Sequence, residues 1–125
     1  MVERNTNNFS VQPELTVGRD SLGEFEHQVL LAILQQGGDS YSVPIVTELE
    51  ERAGREVTQA AVFIVLRRLE AKGLLRSRMV AVDGGVGRTR RYFRITPLGI
   101  RRLRESRRAL MRLWEGLDTA LGEGR

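Results

Sequence analysis

"DGGVGRTRRYF", residues 83–93, packs three glycines and three arginines into eleven residues. A segment of this composition suits phosphate, and whose phosphate it suits decides the fold. A P-loop needs G-x-x-x-x-G-K-[ST] between a strand and a helix. Counting back from Gly87 puts Val82 where the first glycine belongs, and Arg88 stands where the lysine belongs. A dinucleotide fingerprint, G-x-G-x-x-G, starts at Gly85 and Gly87, but Arg90 fills the third glycine position. Both motifs also require a helix N-terminus to meet the phosphates. The chain runs instead into "RYFRIT", residues 91–96, with the β-branched and aromatic composition of a strand. The same composition precedes the glycines in "LLRSRMVAV", residues 74–82. Residues 83–93 therefore read as the tip of a β-hairpin and the start of its second strand. Phe93 and Ile95 should face one side, and Arg90, Tyr92 and Arg94 the other.

Upstream, the period is helical. "SLGEFEHQVLLAILQQGG", residues 21–38, offers a capping box in Ser21 and Glu24. It then sets Phe25, Val29, Leu30, Ile33 and Leu34 in an apolar stripe before Gly37 and Gly38. His27, the one histidine, is expected to be structural or surface-exposed. "YSVPIVTELEERAG" comes next, with Pro44 in the first turn and Gly54 at the end. "TQAAVFIVLRRLEAKG" starts on Thr58 as N-cap and stops at Gly73. Its Val62, Val65, Leu66 and Leu69 should face the core, leaving Gln59, Ala60, Phe63 and Arg67 on another face. Two short helices across a tight turn suggest a helix-turn-helix. Joined to a hairpin, they make a winged helix.

Downstream, Thr96 caps a last helix and Pro97 takes its first position. Leu103, Leu110, Trp114, Leu117 and Leu121 succeed one another at steps of seven, four, three and four. That is the a/d period of helix pairing, interrupted at Arg107 and shorter than a full coiled coil.

Charge sharpens the picture. The 125 residues carry +4 overall, yet residues 67–112 hold fourteen Arg and one Lys against three acids, a local +12. Residues 1–66 are net −6 and residues 113–125 net −2. A basic region so poor in acids is the footprint of a polyanion-binding surface. No apolar run reaches the length of a membrane span, and the N-terminus lacks the order of a signal peptide. The absence of cysteine fits a reducing compartment, so a cytoplasmic location is expected. One histidine, no cysteine and no tight carboxylate pair leave little for catalysis, and nothing calls for a cofactor or metal.

"LGEFEHQVLLAIL", "ELEERAGREVTQAAVFIVLRRLEAKGLL" and "GRTRRYFRITPLG" together resemble the PadR family of transcriptional regulators. The resemblance runs from about Leu22 to Leu117 and rests on R-L-E-x-K-G-L ahead of the G-R-x-R-R-Y-[YF]-R-[IL]-T-P-x-G wing. It implies a dimeric bacterial winged-helix repressor of the compact subgroup, with one C-terminal helix. Phe63 stands where members usually carry Tyr. Ile64 and Val65 are bulkier than usual, and Arg67 replaces a frequent acid or polar residue, so the family's operator preferences need not carry over. Some members bind flat aromatic drugs between the C-terminal helices. The equivalent place here is Leu110, with Trp114 one turn on.

The expected architecture is mainly α with a small β-hairpin. It comprises a flexible arm (1–20), a winged-helix DNA-binding domain (21–96), and a C-terminal dimerisation helix and tail (97–125). Ser42, Thr58, Gln59, Ala60, Phe63 and Arg67 are the candidates for the major groove, with Gln59 able to read adenine and Arg67 guanine or phosphate. Arg88, Arg90 and Arg91 are the candidates for the flanking backbone. The seam residues Leu103, Leu110, Trp114, Leu117 and Leu121 should join two copies. Leu110 and Trp114 are the candidate lining for a small hydrophobic or aromatic effector. The expected partners are double-stranded DNA and a second copy of the chain, with no membrane. The competing function is a winged-helix adaptor whose arginines meet acidic protein surfaces.

Overall fold

The computed structural model describes residues 22–82 and 87–122. The expected N-terminal arm, Ser21 and the tip residues 83–86 lie outside them. Helix α1 spans Glu24–Gln35, β1 Asp39–Ser40, α2 Ser42–Ala53, α3 Gln59–Ala71, β2 Leu75–Ala81, β3 Thr89–Ile95 and α4 Pro97–Trp114. The three strands form one antiparallel sheet in the order β1-β3-β2. Among the described residues no helix is long and apolar enough to cross a membrane.

The helix boundaries obey local chemistry. Thr58 caps α3 by accepting from the Ala61 amide at 3.0 Å. Thr96 caps α4 by accepting from Gly99, and its own hydroxyl donates to the Gly73 carbonyl at 2.8 Å. One residue thus ties the end of α3 to the start of α4. Gly54 adopts φ 64°, and the amides of Gly54 and Arg55 close back on Glu50 and Leu49, which stops α2. The start of α1 differs from expectation. Its N-cap is Gly23, whose amide donates to Glu26 Oε1 at 3.1 Å, so the helix does not begin on a Ser21–Glu24 pair. A glycine cap has no side chain to reach forward, and Glu26 alone closes the turn.

β1 has only two residues and no strand composition, and sequence periodicity passes over it. It forms because β3 has a free edge, where Asp39 pairs with Arg94 and Ser40 with Phe93. On the other side the β2–β3 register runs from Leu75↔Ile95 to Ala81↔Thr89, and the Val82 amide reaches the Arg88 carbonyl at 3.2 Å. The two strands therefore pair as the expected hairpin.

The core sits between the three N-terminal helices and the inner sheet face. Val29, Leu30, Ile33, Ile45, Val62, Leu66, Leu69 and Phe93 are fully buried, with Val65 beside them. Leu34 departs from the expected stripe and is exposed on the α4 side of α1. Gly99 shows how closely α4 approaches the sheet. A Cβ there would sit 2.5 Å from the Leu74 carbonyl and 2.7 Å from Ile95 Cγ1. Glu26 is buried at the start of α1 and accepts from Lys72 Nζ at 2.9 and 3.1 Å, which joins that end to the end of α3.

The C-terminal seam is corrected in two ways. Leu103 is 6% exposed and belongs to the chain's own core. Helix α4 ends at Trp114, where Glu115 turns extended and Gly116 takes φ 76°. Leu117 and Leu121 therefore lie in a succeeding series of turns, not on a continuous helical stripe. A seam counted on apolar positions alone runs straight through this glycine, which is the residue type that ends helices.

Candidate nucleic-acid interface

α3 turns Val62, Val65, Leu66 and Leu69 inward, so 3.6-residue geometry leaves Gln59, Ala60, Phe63, Ile64, Arg67 and Arg68 exposed. Thr58 stands exposed at the head of this face with its hydroxyl oxygen committed to the cap. The Ser42 hydroxyl donates to Gln59 Oε1 at 3.3 Å, which brings the N-termini of α2 and α3 together. That contact uses one of the two acceptor positions of the amide oxygen and leaves the other for a base edge.

Phe63 is at the edge of this face. Its ring meets the buried Phe93 ring edge-on, with centroids 6.0 Å apart, so it also lids the core. The Arg67 guanidinium lies 5.9 Å from the Phe63 centroid, and Arg67 Nε stands 3.4 Å from Glu70 Oε1. That carboxylate oxygen is buried and has no hydrogen bond, so the contact is an ion pair of poor directionality. The other oxygen, Oε2, accepts from the Ser77 hydroxyl at 2.6 Å, and Arg91 Nη1 donates to the same Ser77 oxygen at 2.9 Å. Glu70 thereby links an arginine of α3 to an arginine of the wing.

The three wing arginines expected to act together are separated by strand alternation. Arg88 is exposed beside the tip, with no side-chain hydrogen bond or ion pair among the described residues. Arg90 lies on the outer face with its guanidinium 4.0 Å from the Tyr41 centroid. Arg91 lies on the inner face, held by Ser77.

The outer face also holds groups that the candidate set missed. Tyr41 and Tyr92 pack with centroids 5.2 Å apart, and the Arg78 guanidinium lies 5.2 Å from the Tyr92 centroid. Arg78 makes two hydrogen bonds to Asp39, at 3.0 and 2.9 Å, and Arg94 adds a third at 3.2 Å. The hydrogen bonds from Arg78 hold the Asp39 carboxyl below its ordinary value, with the charges of Arg78 and Arg94 acting the same way and burial opposing them. The i, i+2 spacing of Arg76 and Arg78 in "LRSRMVA" was the available signal. Asp39 and Tyr41 gave none, because only the short β1 edge brings them to this face.

Away from the wing, α1 and α4 leave an apolar groove of about 570 Å³ lined in part by Leu31, Leu34, Leu103, Leu110, Met111 and Trp114. A neighbouring cleft of about 810 Å³ lies at the N-terminal end of α1 and also includes Leu110. His27 lies at both, with Nδ1 2.9 Å from the Ser106 hydroxyl of α4. Burial pushes its imidazole below the ordinary value of 6.5.

Residues 30–105 match the model of the transcriptional regulator PadR-like family. The transcriptional regulator Rv3488 of Mycobacterium tuberculosis is 41% identical over 87 residues, covering 68% of this chain and 78% of that one. A PadR family transcriptional regulator of Eggerthella lenta superposes with a TM-score of 0.61 at 26% identity, covering 89% of this chain and 92% of that one. A PadR-like transcription factor of Bacteroides fragilis shares the fold with a TM-score of 0.65 at 24% identity, over 87% of this chain and 99% of that one. All three relatives are transcriptional regulators or transcription factors. With the winged helix in place, the match over residues 30–105 shows that this chain belongs to the PadR-like family of transcriptional regulators.

Proposed function

We propose that the protein is a homodimeric repressor that binds a near-palindromic DNA operator and is released by a small hydrophobic or aromatic effector. The observation that carries this reading is the juxtaposition of the exposed α3 face with a basic wing. Gln59, Ala60, Ile64, Arg67 and Arg68 project from α3, and Arg88 projects beside the hairpin tip. In this reading α3 enters the major groove and Arg88 meets the flanking backbone, with Ser42, Thr58, Phe63, Arg90 and Arg91 orienting the contact surface. A second copy seats against the exposed Leu110 and Trp114 of α4 together with Leu31 and Leu34 of α1. Two α3 helices then meet half-sites about 34–36 Å apart. An effector held between the two C-terminal helices, beside Leu110 and Trp114, changes the angle of α4 and with it that spacing.

The test is fluorescence anisotropy of a labelled fragment from the chain's own upstream region, across a salt series, beside a scrambled control. If each copy neutralises about three phosphates, affinity should fall on the order of a thousandfold between 50 and 200 mM salt. Preference for the native fragment supports a self-regulating operator. Equal, steeply salt-dependent binding to both would place the operator elsewhere. Binding to neither would reject the DNA reading in favour of a protein-protein adaptor.

A further inference from the structure

We propose that Ile64 is a specificity-determining residue that reads thymine through its C5-methyl group. This rests on the DNA-binding reading above and assigns what the exposed α3 face recognises. Ile64 is 59% exposed, more than any other large apolar side chain described between Leu22 and Thr96. Ile64 lies outside the core cluster, and as a β-branched residue it is a poorer helix former than alanine.

Two neighbouring polar groups have partners within the chain. The amide oxygen of Gln59 accepts from Ser42, and Arg67 is held between Glu70 and the Phe63 ring. Ala60 lies one turn before Ile64 on the same stripe and is also exposed. Ala60 and Ile64 thus form an apolar strip beside Gln59 in the first two turns of α3, ahead of Arg67 and Arg68. The major groove presents one apolar group on its base edges, the methyl of thymine. The one acid of α3, Glu70, is turned toward Ser77, so no negative charge on this helix opposes close approach of DNA.

The experiment uses the full chain and a duplex it selects from a random library. The duplex is then made with thymine and with uracil, which differ only by the methyl group. Wild-type protein should bind the uracil form about fourfold more weakly per half-site methyl, the factor expected for burying one such group. Ile64→Ala should bind the thymine form more weakly and show no difference between the two, while Ile64→Val keeps most of the discrimination. Ile64 is exposed, so both variants should melt like the wild type, which separates this effect from misfolding. An enriched duplex bound equally in both forms, or discrimination that survives in Ile64→Ala, overturns the inference alone. Failure to enrich any sequence overturns the DNA reading and the inference with it.

Discussion

Gly99 is constrained by space and not by backbone conformation. A Cβ there meets the Leu74 carbonyl oxygen and the branched Ile95 side chain, and neither can yield without moving the sheet or α4. Gly99→Ala should cost about 1–3 kcal/mol despite the better helix propensity of alanine, visible as a lower midpoint in urea. His27 supplies a pH dependence. Its folded-state value is lowered by burial, so the unfolded chain binds more protons as pH drops below the ordinary value of 6.5. Stability is then complete above about pH 6.5 and declines as pH falls toward the folded value. Melting temperature should decline as pH falls below about 6.5, and His27→Gln should flatten that decline. Sequence marked His27 only as structural or surface-exposed, because its partner Ser106 is 79 residues away.

At the scale of elements, the caps were readable because each is local. Thr58, Thr96 with Pro97, Gly54 and Gly73 mark their helix ends within four residues of the group they satisfy. Thr58→Ala should destabilise α3 by about 1 kcal/mol, measured by denaturant unfolding. The wing was readable as a hairpin from its composition, and alternation set the facing of Arg90, but the partners of its arginines were not readable. Adjacent strand residues face opposite sides, and what each side meets depends on elements far away in sequence: Ser77 for Arg91, Tyr41 for Arg90. Arg88, without a described partner, carries the prediction for this element. Arg88→Ala should reduce the slope of log K against log salt by about 1 per lost contact, about 2 for the two copies, and leave sequence preference nearly unchanged. An unaltered slope would remove Arg88 from the contact surface.

For the whole molecule, the decisive surface is the apolar groove between α1 and α4. Leu110 and Trp114 are about half exposed, and Leu31 and Leu34 face them across the groove. Trp114→Glu puts a charge where a second copy is expected to seat. It should shift the protein from dimer to monomer mass in light scattering and weaken operator binding, since one wing pair cannot span two half-sites. Leu117→Glu should have a smaller effect, because Leu117 has left the helix that carries Leu110 and Trp114.

Sequence alone determined whatever depends on neighbours a few residues apart. The helices, the caps of α3 and α4, the hairpin, the inward face of α3, most of that of α1 and the concentration of arginine all stem from local periodicity, turn chemistry and charge. Even the early end of α4 was written locally, in Gly116, though the apolar count masked it. Only tertiary structure decided which exposed groups remain available. Leu103 is taken into the core, Arg67 pairs with Glu70, Arg91 donates to Ser77, the Gln59 amide oxygen accepts from Ser42, and Ile64 is left facing solvent. The physical reason is that a side chain's availability is set by the partners that folding brings to it. In this chain β1, the α1–α4 contact and the Glu70 network join positions up to 79 residues apart.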